Sequence, residues 1–249
     1  MPWVQSLNLP EETGAALKSL ATELAAAAGD NLRSIVLYAG VVHGRFDPSR
    51  SNINIAIILG STAPDALAAL SPVLLQALRE WRVDPLLISE AELPQVASAF
   101  ATRFADIRRR RVVLHGADVF AKLEIDPADL RNRIEQELRN HVLRLRRWLV
   151  LSETPSDLLP RLAQTMGSVA TIAAGLLELM DEPNVHDHLA DLFDHLATKM
   201  KLNREVLAAL LDVRDRPREI ANPRALYESV LVLLDDLTRK TAQLEVGDP

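Results

Sequence analysis

LYAGVVHGRFDPSRSNINIAIIL, residues 37 to 59, decides how this chain is read. It closes one apolar run, Ile35 to Tyr38, and crosses a loop holding Gly40 and Gly44. It then enters a second apolar run, Ile55 to Leu59. Short continuous runs rich in β-branched residues read as strands, and their continuity predicts cover on both faces. At the mouth of the second strand stand Asn52 and Asn54. Residues two apart on a strand share a face. Two uncharged amides therefore sit side by side where a buried strand begins.

Working outward, a helix is predicted from Pro10 to Ala28. Pro10 suits its first position, Glu11 and Glu12 suit the positive end of its dipole, and Gly29 suits its stop. Leu17, Leu20 and Leu24 mark its buried face. The strands themselves are read at 33–38 and 52–59. Past the second strand a helix covers about 65 to 80, with Ser71-Pro72 as a possible break. VDPLLI, 83–88, reads as a short strand, and Pro85 inside it requires an edge or a bulge. Ser89 with Glu92 fits a capping box for a following helix. RRVVLH, 110–115, is the last strand, ended by Gly116.

From Asp126 the character changes. Asp126 followed by Pro127 is a strong helix start. Leu130, Ile134, Leu138, Val142, Leu145 and Leu149 then recur at helical spacing, and Glu135 precedes Arg139 by one turn. Further helices are predicted near 156–180, 187–200, 203–213 and 223–244, with no strand among them. The expected class is α+β: a small mixed-sheet domain, 1–125, followed by an all-α helical bundle, 126–249.

Composition narrows the function classes. The 249 residues include no cysteine, which excludes disulfides, thiolate metal sites and thiol nucleophiles. The N-terminal residues lack the basic and apolar pattern of a signal peptide. No apolar run is judged long enough for a membrane span, so a cytoplasmic protein with no membrane partner is expected. A net charge of −6 argues against whole-surface binding to nucleic acid. Positive charge is local: Arg108 to Arg111, then Arg131, Arg133, Arg139, Arg144, Arg146 and Arg147. These read as solvated helix faces paired with glutamate, or as a basic flank toward phosphate or RNA. Arginine outnumbers lysine 23 to 5, in keeping with a GC-rich bacterial source.

Strand, loop with glycine, serine, polar pair at i and i+2, strand: this frame resembles the nucleotidyltransferase fold of the polymerase-β-like superfamily. Members carry Gly-Ser after the first strand, often followed by Ala-Arg-Gly, and Ser-Asp-x-Asp entering the next strand. A third carboxylate lies on a later strand. LRNRIEQELRNHVLRLRRWLV also resembles the first bundle helix of bacterial proteins with this domain. The resemblance implies phosphate-binding positions at Ala39, Gly40, His43, Gly44 and Ser51. It implies metal-binding positions at Asn52 and Asn54, with the third carboxylate at Asp84 or Asp106. Gly44 and Ser51 keep the pattern. Ala39 and Gly40 replace Gly-Ser, Val42 and His43 replace Ala-Arg, and Ser51-Asn52-Ile53-Asn54 replaces Ser-Asp-x-Asp. Magnesium selects hard anionic oxygens. A unit charge facing a divalent ion at about 4 Å is worth roughly 8 kcal/mol at an effective dielectric of about 20. Losing two such charges predicts a degenerate site with no metal cofactor.

Three readings follow. The first is a catalytically inactive domain, a regulatory module that binds a nucleotide, an RNA end or a protein. The second is an active magnesium-dependent transferase that uses Asp47 or Asp84 as relocated ligands. The third is a structural protein that oligomerises with its own copies through the bundle. Other constellations carry less. His188, Asp191 and His195 share a helix face, beside His186 and Asp187, but read as a solvated face rather than a zinc site. Arg133 and His141 are too far apart for the RNase pattern of helical partner domains. Trp81 and Trp148 read as core or interface anchors.

Overall fold

The computed structural model describes residues 7, 9–44, 46–48, 51–182 and 188–246, apart from the side chains of 214 and 215. The chain divides into two compact units. One comprises Met1–Ser98 with Phe104–Glu124, the other Ala99–Arg103 with Ile125–Pro249. The architecture is α+β.

The first unit is built on four strands, β1 (Leu32–Tyr38), β2 (Ile53–Leu59), β3 (Val83–Ser89) and β4 (Val112–Gly116). They form one mixed sheet in the order β3-β2-β1-β4. β1 runs antiparallel to both β2 and β4, and β2 runs parallel to β3. The central strands are buried on both faces, as their unbroken apolar runs predict; Ile35 and Ile57 on one face and Val36 and Ala56 on the other are all fully inaccessible. Helix α1 (Glu11–Ala28) buries Leu17, Leu20 and Leu24 against this core and stops at Gly29, whose φ is +53°.

A parallel pair needs a crossover, and α2 (Pro64–Trp81) supplies it between β2 and β3. The expected break at Pro72 does not occur. Pro72 lies inside α2 on an exposed position, so its ring meets no core, while Leu70 and Ala77 stay buried on the opposite side. Burial of one face carries the helix past the missing N–H. Pro85 places β3 at an edge of the sheet, where a lost donor is tolerated. The Ser89 capping box closes reciprocally: Ser89 N–H donates to Glu92 Oε1 at 2.8 Å and Glu92 N–H to Ser89 Oγ at 3.3 Å. Beyond it the chain forms two helices rather than one, α3 (Leu93–Ala99) and α4 (Ala101–Arg109).

The second unit is helical. Asp126 caps α5 (Pro127–Leu151), accepting from Ala128 N–H at 2.7 Å. Leu130, Ile134, Leu138, Val142 and Leu145 form its buried stripe. Then follow α6 (Leu158–Leu179), α7 (Leu189–Met200), α8 (Arg204–Asp215) and α9 (Pro223–Ala242). Tyr227 of α9 is fully buried and donates to the Leu145 carbonyl at 2.8 Å. Burial pushes its phenol up to about 12. One correction concerns hydropathy: residues Pro155–Leu179 are long and apolar enough to cross a bilayer by length and composition. Over half of that window is buried inside the protein, as the core helix of a bundle would be.

Candidate functional site

The site grows from the pairing of the central strands. Tyr38, last residue of β1, is opposite Asn54 of β2, and Asn54 is in register with Asp84 of β3. Paired residues project to the same face of a sheet. Asn54 is half-buried, while Asn52 and Asp84 are exposed. Among the described residues, neither amide nor the Asp84 carboxylate has a hydrogen-bond or ion-pair partner. Three polar side chains thus stand at one end of the sheet with their bonding capacity unspent.

The loop after β1 opens on a left-handed residue that is not glycine. Ala39 adopts φ +60°, the left-handed region that glycine occupies freely. A single 3-10 turn, Ala39–Val41, follows; His43 N–H donates to Ala39 O at 3.1 Å and Gly44 N–H to Val41 O at 3.3 Å. For a residue with a Cβ this conformation costs about 1–2 kcal/mol. Gly40, by contrast, has no positive φ, and a Cβ added there meets nothing within 4 Å. The turn does not require glycine at 40, and a serine would fit. Gly44 does use its freedom, at φ +67°. Ser51 closes the far end of the loop: its Oγ accepts from Asp47 N–H at 3.0 Å, and its own N–H donates to Asp47 O at 2.8 Å.

Asp106 is not on a strand. It lies on α4, is buried, and holds His43 Nε2 at 3.1 and 3.2 Å, with Arg109 Nη2 3.5 Å away. His43 and Asp106 lie 63 residues apart in the chain, and no local signal in the sequence announces their pairing. Its carboxylate is committed to cations. Asp84 is therefore the one carboxylate in register beside the amide pair, and among the described residues no three His, Asp or Glu gather into a metal-binding group. The magnesium ions that the nucleotidyltransferase fold implies need clustered negative oxygens. The residues present do not fit them.

The remaining candidates disperse. His188 precedes α7, while His195 bonds Glu182 at 3.3 Å beside Lys199, so the triad with Asp191 is not assembled; His186 and Asp187 lie outside the described residues. His141 is buried, between Ser168 Oγ at 2.8 Å and Arg144 Nη2 at 2.9 Å. Arg144 can only donate, so the ring accepts at Nδ1 and carries its proton at Nε2. Burial, and then the Arg144 charge, hold His141 down to about 4. In the arginine run, Arg111 forms a two-point ion pair with Asp118 at 2.7 Å, and Arg108 donates to Leu123 O at 3.3 Å.

No protein-family model matches the sequence, and no curated protein matches it. Solved structures do. A spectinomycin adenyltransferase from Enterococcus faecialis, crystallised with ATP and spectinomycin, matches over 92% of this chain and 98% of its own, at 10% identity and a TM-score of 0.55. The chain therefore shares the nucleotidyltransferase-like fold of that enzyme. A toxin–antitoxin structure with AMP-PNP covers 54% of this chain and 94% of its own, at 15% identity. Its TM-score of 0.29 is too low to establish a common fold.

Proposed function

We propose that this chain is a cytoplasmic binding module on a nucleotidyltransferase-like scaffold, one that holds a nucleotide or an RNA end without catalysing metal-dependent transfer. The observation that carries the reading is the register Tyr38–Asn54–Asp84, which sets one amide beside a single carboxylate, with Asn52 just before the strand, where the fold's resemblance calls for three carboxylates. An amide can donate as well as accept. Asn52 and Asn54 therefore suit a ligand that carries its own negative charge, which a carboxylate pair would repel without a metal between them. The glycine-like loop shape at Ala39 supports the same assignment, since it retains a backbone suited to phosphate.

The test is calorimetric titration of ATP with and without magnesium, on the natural chain and on Asn52→Asp/Asn54→Asp. The natural chain should bind with an affinity that magnesium changes less than about threefold, and should release no pyrophosphate. The double variant should bind ATP poorly without magnesium and recover at least tenfold with it. Magnesium-dependent turnover by the natural chain would overturn the reading in favour of Asp47 or Asp84 as relocated ligands.

A further inference from the structure

The helical unit holds a second feature, where α5 ends and α6 begins. A cavity of about 670 Å³ is lined there by Arg147, Trp148 and Leu151 of α5, by Glu153 and Asp157 of the connecting turn, and by Arg161 of α6. Its volume is that of a small-molecule site. The guanidinium carbon of Arg161 lies 5.2 Å from the centroid of the Trp148 ring, a cation–π distance.

Several arginines of the same unit are spent in ion pairs, although Arg131 and Arg144 bond neutral partners instead. Arg133, Arg139, Arg146, Arg204, Arg224 and Arg239 each have a carboxylate within an ion pair. Arg147 and Arg161 have none among the described residues, although two carboxylates line the same walls. Asp157 is engaged elsewhere, accepting from Thr154 N–H at 2.8 Å in a capping box. Two guanidinium forks therefore keep donors for a ligand, beside an indole and the apolar side chain of Leu151. Planar forks of this kind bind phosphate at two points, and their faces stack on aromatic rings.

We propose that this cavity is a binding site for a nucleoside monophosphate group, separate from the sheet site. Arg147 and Arg161 take the phosphate, and the base stacks in the Arg161–Trp148 array. Glu153 and Asp157 each contribute a negative charge to the wall and balance the two arginines, so a triphosphate binds here more weakly than a monophosphate. The group is offered either by a free nucleotide or by the terminus of a single-stranded RNA. This inference does not rest on the reading of the sheet end, and its test separates the two.

The experiment is titration of the full chain with AMP, ATP, adenosine, inorganic phosphate and a short 5′-phosphorylated single-stranded RNA, in the absence of magnesium. It is repeated with Arg161→Gln, Trp148→Leu and Asn52→Ala/Asn54→Ala. AMP should bind at least tenfold more tightly than adenosine or phosphate, and more tightly than ATP at this site. Arg161→Gln, an exposed replacement that leaves the helix intact, should weaken AMP at least tenfold with an unchanged melting temperature. Trp148→Leu should weaken it similarly, and the binding event that Arg161→Gln removes should persist in the Asn pair, which removes only the event at the sheet end. RNA that competes with AMP and loses binding in the same variants identifies the strand terminus as the source; RNA that does not compete identifies the free nucleotide. No AMP binding, or binding abolished by the Asn pair and retained in Arg161→Gln, overturns the proposal.

Discussion

Single residues carry the sharpest consequences. Ala39 holds a left-handed backbone that its Cβ disfavours. Ala39→Gly removes that strain, though glycine is freer in the unfolded chain. The net expectation is a gain of roughly 0.5–1 kcal/mol, read by urea denaturation; a loss would show that the methyl group is packed rather than strained. Gly116 is the opposite case. Its φ is +77°, and a Cβ there would stand 2.0 Å from the Arg33 carbonyl oxygen. That neighbour is backbone and cannot yield, so Gly116→Ala should cost about 2 kcal/mol or more and loosen the β1–β4 pairing, seen as faster amide exchange in β4. The candidate site was half legible in the sequence. The amide pair could be read because closeness along the chain is local, although β2 begins only at Ile53 and leaves Asn52 just before it. The resemblance offered Asp84 and Asp106 alike as the third carboxylate, and the choice between them could not be read, since register with Asp84 is settled by pairing between strands thirty residues apart in sequence. The His43–Asp106 pair was hidden for the same reason, and so was the conformation of Ala39, because alanine carries no turn signal.

At the scale of elements, caps and breakers were dependable where the signal was chemical. Asp126 and the Ser89–Glu92 pair each supply a side-chain acceptor to orphan N–H groups, and each starts or precedes a helix as predicted. Pro85 marked an edge because ladder donors are compulsory in a central strand. Pro72 misled, because a proline's local penalty can be outweighed when one helix face is buried on both sides of it. That penalty still exists. Pro72→Ala restores the donor in an exposed stretch of α2 and should raise stability by about 1–2 kcal/mol, less the proline's restriction of the unfolded chain. A melting temperature that falls instead would show that α2 depends on the ring. The split of α3 from α4 at Phe100 carried no glycine or proline to announce it.

For the whole molecule, the decisive variable is pH. His141 titrates near 6.5 when unfolded and is held down to about 4 when folded. Above both values neither state is protonated and the ring favours neither. As pH falls through 6.5 toward 4 the unfolded chain gains a proton that the folded chain refuses, so stability is lost, by up to about 3 kcal/mol. Asp118 behaves differently. The Arg111 guanidinium holds its carboxyl below 3.8, so the stability it contributes persists down to about that pH and disappears only below it. Segment-resolved amide exchange should therefore show protection in the helical unit declining between pH 6.5 and 4, ahead of any acid loss around Asp118. His141→Gln should flatten the first stage, and an unchanged profile in that variant would remove His141 as its cause. Solution behaviour is shaped by the edge at β3. An outermost strand offers bare donors and acceptors to any intruding chain, which is how sheets polymerise. Here Pro85 withholds one donor and Asp84 sets a negative charge beside it. Asp84 and Pro85 thus act together as a guard against strand addition, so that replacing both would convert a protected border into a seed for fibrous self-association.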